Sequence, residues 1–311
     1  MTASPGASAT VRSGPPDLNS GQKLMVFVLS MTLFGLANIV TEVLPEFSIG
    51  PVDIGVSYLT FVPLIIVSLF NPLYGALGAP LGEIVFVDLL MGDFSGIGEV
   101  EGYLQMFLGL YIAGCMVRDP RRPVQLLTAG AMVVVVDKML SGIVDVAKVW
   151  FGIEDAETVP GLPESILLLE GIDFAIALVI SGVLFGGLPA LFLVPRLYGK
   201  IEPLLGLAPR DPAHPIPLAQ RGTAVFLLVA IVLAFVSAIA AFMEEILDGF
   251  GVWEPDFIDQ YGQQFLWVGA SAALIVLAAL VVAVRFVRDS RRDRAEQEER
   301  AAHEERTEAG S

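Results

Sequence analysis

The sequence predicts an all-α, polytopic membrane bundle of about eight transmembrane helices, and three observations predict it. Apolar residues make up 55% of the 311, and the mean hydropathy is +0.71. Apolar runs of about twenty residues recur along the chain, each long enough to cross a hydrocarbon core. The loops between them alternate in charge, one set basic and the other acidic. A soluble fold of this length would have nowhere to bury so many apolar runs.

The segments read, in order, 24–44, 54–70, 72–91, 103–117, 124–150, 165–194, 222–247 and 265–287. Pro45 stops the first, and Asn71-Pro72 separates the second from the third. The sixth contains Gly182, Gly186, Gly187 and Pro189, which predicts a bend or break there. Residues 1–22 are rich in Ser, Ala, Pro and Gly and read as a disordered cytosolic lead-in. They carry no basic stretch ahead of a cleavable core, so a signal peptide is not expected. The expected organisation is a six-helix core at 23–205 and a Pro-rich cytosolic loop at 206–221. Two additional spans follow at 222–288, then a charged cytosolic tail at 289–311.

Charge placement predicts the topology. Arg118, Arg121 and Arg122 follow the fourth segment; Arg196, Lys200, Arg210 and Arg221 lie between the sixth and seventh; Arg285, Arg288, Arg291, Arg292 and Arg294 follow the eighth. The loops at 42–53, 93–101, 154–164 and 244–259 carry almost only acid. Because Lys and Arg mark the cytoplasmic side, a multi-pass protein of the cell membrane with both termini in the cytosol is expected. The formal charge of −16 follows from the acidic outer loops, and solvation in high salt explains such acidity as readily as a cationic ligand does.

Several chemistries are excluded. A single cysteine, Cys115, precludes a disulfide framework and a multi-cysteine metal site. The two histidines fall in the Pro-rich loop (His214) and the tail (His303), which leaves none for an intramembrane metal centre. Gly199-Lys200 is followed by Ile201 and lacks the glycines of a phosphate-binding loop. No His-Glu-x-x-His or Gly-x-Ser-x-Gly pattern occurs. Neither an enzyme, a cofactor, a metal nor a nucleic-acid partner is expected; the partners expected are a small-molecule solute and membrane lipid.

The residues that could bind a solute are polar groups inside apolar segments. Gly75, Gly78, Ala79 and Gly82 fall on one helical face, which predicts close helix packing. Glu83 sits about mid-span beside that face, where a charge is expensive and must be protonated, paired or turned inward. Asp88 is nearer the outer end and, at helical spacing, on a different face, where snorkelling explains it. In the fifth segment Asp137, Ser141, Asp145 and Lys148 recur at steps of four, four and three. They read as a polar stripe lining a cavity, or as an Asp145–Lys148 ion pair. Lys138 is turned away from that stripe and pairs elsewhere. Glu170 and Asp173 lie one turn apart near the outer end of the sixth segment. Tyr58, Tyr103 and Trp150 fit an interfacial belt, with Tyr103 and Trp150 candidates to stack on a ligand.

The run NPLYGALGAPLGE, with DLLMG after it, resembles the third-helix region of substrate-binding (S) subunits of energy-coupling factor (ECF) transporters. GYLQMFLGLYIAGCMVRDP is similar to their next helix, and FGGLPALFLVPRLYGKIEPLL to their last core helix. The resemblance covers about residues 24–205. It implies a six-helix subunit that captures a vitamin-like solute from outside, and the acidic positions are compatible with a cationic one. A coupling membrane subunit and two separate ATPase subunits would accompany it. The two spans after 222, and the absence of an Ala-x-x-x-Ala surface on the first segment, depart from that family. A self-contained ion-coupled transporter using Glu83, Asp137 or Asp145, and a structural assembly protein, are the alternatives.

Overall fold

The computed structural model describes residues 18–42, 44, 47–49, 52–92, 94, 98–150 and 166–216, with a few positions between 228 and 239. The chain divides into two compact units, Met1–Asp256 and Phe257–Ser311, and every described residue lies in the first. Most of the predicted lead-in, the charged tail and nearly all of the predicted seventh and eighth segments lie outside the described residues.

Apart from one hairpin, the regular secondary structure of the described chain is helical. Helix α1 is Ser20–Glu42, α2 is Phe61–Leu69 and α3 is Pro72–Glu83. A π-helical segment, π1, continues α3 over Ile84–Gly92. Helix α4 is Gly98–Met116 and α5 is Pro123–Trp150. Helix α6 (Ile166–Ala177), a second π-helical segment π2 (Leu178–Gly187) and α7 (Leu188–Leu197) form one continuous run.

Four helices are long and apolar enough to cross a membrane among the described residues: Ser20–Glu42, Pro72–Leu90, Pro123–Trp150 and Ile166–Leu197. They mark the chain as a membrane protein. Leu168, Val179, Phe192 and Ile143 are more than half exposed, an apolar surface that only lipid or further protein would cover favourably. The second and fourth predicted segments are not among the four. Helix α2 has only 9 residues, and α4 opens on Glu99 and Glu101. Ile54, expected to begin the second segment, instead ends an antiparallel hairpin, β1 (Phe47–Ile49) with β2 (Val52–Ile54), Phe47 opposite Ile54, and residues 55–60 precede the helix. Gly50 and Pro51, both helix breakers, lie between the two strands in sequence.

The α2–α3 turn follows from two residues. Asn71 takes an extended conformation, and its side chain accepts from the backbone N–H groups of Leu73 and Tyr74 at 3.0 and 3.3 Å. Pro72 stands at the first helical position, where its missing N–H costs nothing. The helix that begins there packs on α1 at contact distance. A methyl group on Gly78 would overlap the Phe27 carbonyl, and one on Gly82 the Met31 carbonyl. Gly35 of α1 meets the Gly82 carbonyl in the same way. Gly75 and Ala79 are also buried, but a methyl group on Gly75 would meet Val67 and Ile66 of α2, not α1. A second close crossing joins α5 to π2, where a methyl group on Gly130 would lie 2.6 Å from the Gly187 nitrogen and 2.8 Å from the Gly182 oxygen. Small residues at both crossings let backbones approach, which is how helices attract one another in lipid, where the solvent supplies no hydrophobic drive.

The core runs through the bundle from Phe34 and Leu64 to Leu110, Leu126, Val133 and Val194. It is closed at one end by the chain after α7. There Leu207 joins the core, and Arg210 donates to the carbonyls of Gly114 at 2.9 Å, Val117 at 2.6 Å and Val67 at 2.7 Å. The last carbonyls of a helix have no partner inside it, so a single guanidinium satisfies the ends of α2 and α4 together. The Tyr198 hydroxyl donates to the Arg210 carbonyl, and Arg121 stacks over the Tyr198 ring with its Cζ 4.9 Å from the centroid. Gln22 of α1 donates to the Gly206 carbonyl at 2.6 Å. Burial pulls the Arg210 pKa down, to about 10, which leaves it charged at neutral pH.

Candidate functional site

At the other end of α4 the helices part around a cavity of about 190 Å³. Pro80, Glu83, Ile84 and Asp88 come from α3 and π1; Glu99, Gly102, Tyr103, Gln105 and Met106 from α4; Asp137, Lys138 and Ser141 from α5. Tyr58, from the non-helical stretch before α2, completes the wall.

Tyr58 is 5% exposed. Its ring is held by the edge of Phe34 from α1, with centroids 6.5 Å apart. Its hydroxyl donates to Asp137 Oδ2 at 2.9 Å, so one phenol joins the pre-α2 stretch to α5. The Tyr103 hydroxyl donates to the Leu77 carbonyl at 3.0 Å, tying α4 to α3. Both rings are therefore anchored by their oxygens. Asn38 of α1, 2% exposed, is a hydrogen-bond partner of the Glu83 carboxyl. Gln105, itself buried, donates to Glu101 one turn earlier.

Five of the ten residues singled out in the sequence line the cavity: Glu83, Asp88, Tyr103, Asp137 and Ser141. Asp88 does not occupy the separate face expected of it. An α-helical period turns a residue five positions on well away from Glu83. In a π-helix the hydrogen bond runs from i to i+5, which returns that residue to nearly the same face. Asp88 lies in π1, is 8% exposed and opens on the same space as Glu83. Such π segments inside helices are frequent at functional sites.

The other five lie outside the cavity wall. Asp145 accepts from the Ser141 hydroxyl at 3.1 Å, one turn beyond the cavity, and Lys148 acts on Asp145 through space. Asp173 of α6 holds Lys138 Nζ at 2.9 Å. Glu170 lies over the α5 backbone at Gly142, where an added methyl would meet its carboxylate at 3.1 Å. Trp150 is 60% exposed and does not line the cavity. Two further wall residues read differently in the sequence, Tyr58 as an interfacial aromatic and Lys138 as facing elsewhere. Lys138 does pair elsewhere, with Asp173, and it also borders the cavity.

The wall is thus mixed: carboxylates, two fixed aromatic rings, and the apolar surfaces of Pro80, Ile84 and Met106. No group of three or more His, Cys, Asp or Glu side chains is placed to hold a metal ion among the described residues.

A family model, that of a family of unknown function (DUF8171), matches residues 25–295. The chain belongs to this family. The match runs through the six expected core segments and on through the two after 222, so the DUF8171 unit includes the whole predicted membrane region and not the first six segments alone. No curated protein and no solved structure matches.

Proposed function

We propose that this protein is a membrane solute-binding subunit, which takes a small solute into the cavity between α3, α4 and α5 and works within an ECF-type importer. The observation that carries the reading is the cavity itself. Carboxyl groups within membrane-grade helices cost about 2.5–3.5 kcal/mol each to place, and here two from different helices, Glu83 and Asp137, open on one partly open cavity. Buried polar groups retained at such cost mark substrate or ion positions more often than scaffolding. The acidic loops support an outward-facing cavity end, and the basic loops support a cytosolic Arg210 end. The sequence has no phosphate-binding loop, so energy would come from partner ATPase subunits through a coupling membrane subunit.

The test is purification from native membranes in mild detergent, followed by identification of associated chains and solute-stimulated ATPase activity. Co-purifying ATPases stimulated by a solute are the expected result. Solute uptake by the chain alone in liposomes, driven by a proton or sodium gradient, would replace the reading with that of a self-contained transporter. The juxtaposition of Glu83 with Asp137 favours that second reading, because facing carboxyls suit a coupling ion.

A further inference from the structure

We propose that the cavity's ligand is a small alkylammonium ion, of about choline size, held by Glu83 and Asp137 and flanked by Tyr58 and Tyr103. The inference rests on the solute-binding reading above and narrows it in charge, size and chemistry.

Charge comes first. Among the described wall residues four bear carboxyls, Glu83, Asp88, Glu99 and Asp137, against one ammonium, Lys138. That ammonium lies 2.9 Å from Asp173 Oδ2, on the α6 side, so it is already matched by an acid outside the wall. An anionic ligand would meet carboxylates on both α3 and α5, whereas a cation is complementary to them.

Size comes next. A partly open cavity of about 190 Å³ suits a choline-sized cation better than a vitamin with two ring systems. Binding pockets for drug-sized molecules begin at about 300 Å³.

Chemistry separates an organic cation from a bare ion. A calcium ion takes six to eight oxygens and magnesium an octahedral set. Here the oxygens are spread over three helices, with Pro80, Ile84 and Met106 interleaved among them. Alkyl groups suit those apolar surfaces. The hydroxyl protons of the two lining tyrosines are committed to Asp137 and Leu77, so neither is left to donate to an anionic ligand. Aromatic faces attract ammonium groups, and more strongly where water is excluded.

The experiment is calorimetric titration of the detergent-solubilised full-length protein with choline, tetramethylammonium, glycine betaine, thiamine and sodium. Saturable binding of choline or tetramethylammonium is expected, with glycine betaine at least tenfold weaker because it adds a carboxylate. Asp137→Asn and Glu83→Gln should each weaken choline binding tenfold or more. The amide oxygen introduced by Asp137→Asn can still accept from the Tyr58 hydroxyl, and Glu83→Gln decides the matter if Asp137→Asn fails to fold. Choline binding unchanged in both variants would overturn the proposal. Tight binding of thiamine without choline would overturn it and leave the solute-binding reading standing. No binding by any of the five probes, in protein shown to be folded, would overturn the proposal. The solute-binding reading falls with it only if a wider panel of neutral and anionic solutes also fails to bind.

Discussion

The two ends of α4 solve opposite problems. At its C-terminal end, Arg210 fills the space between helices and donates to three main-chain carbonyls, with Leu207 buried beside it. At its N-terminal end, Glu99, Tyr103 and Gln105 border a cavity of about 190 Å³. One end converts polar backbone into satisfied, closed structure. The other keeps polar side chains around open volume, which is useful only if something enters. On the proposed reading, the Arg210 end should matter most for stability and the cavity end for binding.

Changes at the two ends should separate these properties. The largest expected effect is Arg210→Ala, which removes the donor from three carbonyls. At about 1–3 kcal/mol for each buried group left unpaired, with water recovering part, a loss of about 2–4 kcal/mol is expected in thermal unfolding. Affinity for a cavity ligand should stay within about twofold. Arg210→Lys should recover only part of the stability, because an ammonium cannot reproduce the planar fork. A large loss of affinity in Arg210→Ala would break the separation.

Gly82→Leu comes next. It drives a side chain into the Met31 backbone at the α1–α3 crossing, and overpacking of this kind costs about 1–3 kcal/mol. Since Gly82 precedes Glu83, this substitution should impair both properties together, in thermal unfolding and in ligand titration. Tyr58→Phe removes the bond to Asp137 and should cost about 1 kcal/mol of stability. Trp150→Ala should change unfolding by no more than about 0.5 kcal/mol, and ligand affinity not at all, because the side chain faces outward. A measurable affinity loss there would show that the binding region extends beyond the cavity wall.

The legible part of the site consists of residues whose neighbours lie in their own segment. Asp137 and Ser141 share a face because they are one turn apart on α5, and helical spacing alone predicts it. Glu83 stands out because a carboxyl in a long apolar run has few explanations. Asp88 is not legible in this way, because the period itself changes at π1 and nothing local in IVFVDLLMG announces an i→i+5 ladder. Tyr58 reaches the cavity through a contact with Asp137, 79 positions away. Arg210 in the sequence is one of several basic loop residues that set topology. Its three carbonyl partners lie at the ends of two helices distant in sequence.

What the sequence determined alone are the properties that a segment carries with it. These are the apolar length that makes a membrane helix, the Asn71-Pro72 turn with its cap, and the glycines that allow backbones to touch. Each depends on residues within a few positions of one another, so sterics and solvation settle them locally. Which faces met was decided by tertiary structure: a change of helical period at π1, a phenol reaching across to α5, and a guanidinium seated on two helix ends. These depend on volume shared between distant segments, and that volume exists only once the bundle has packed.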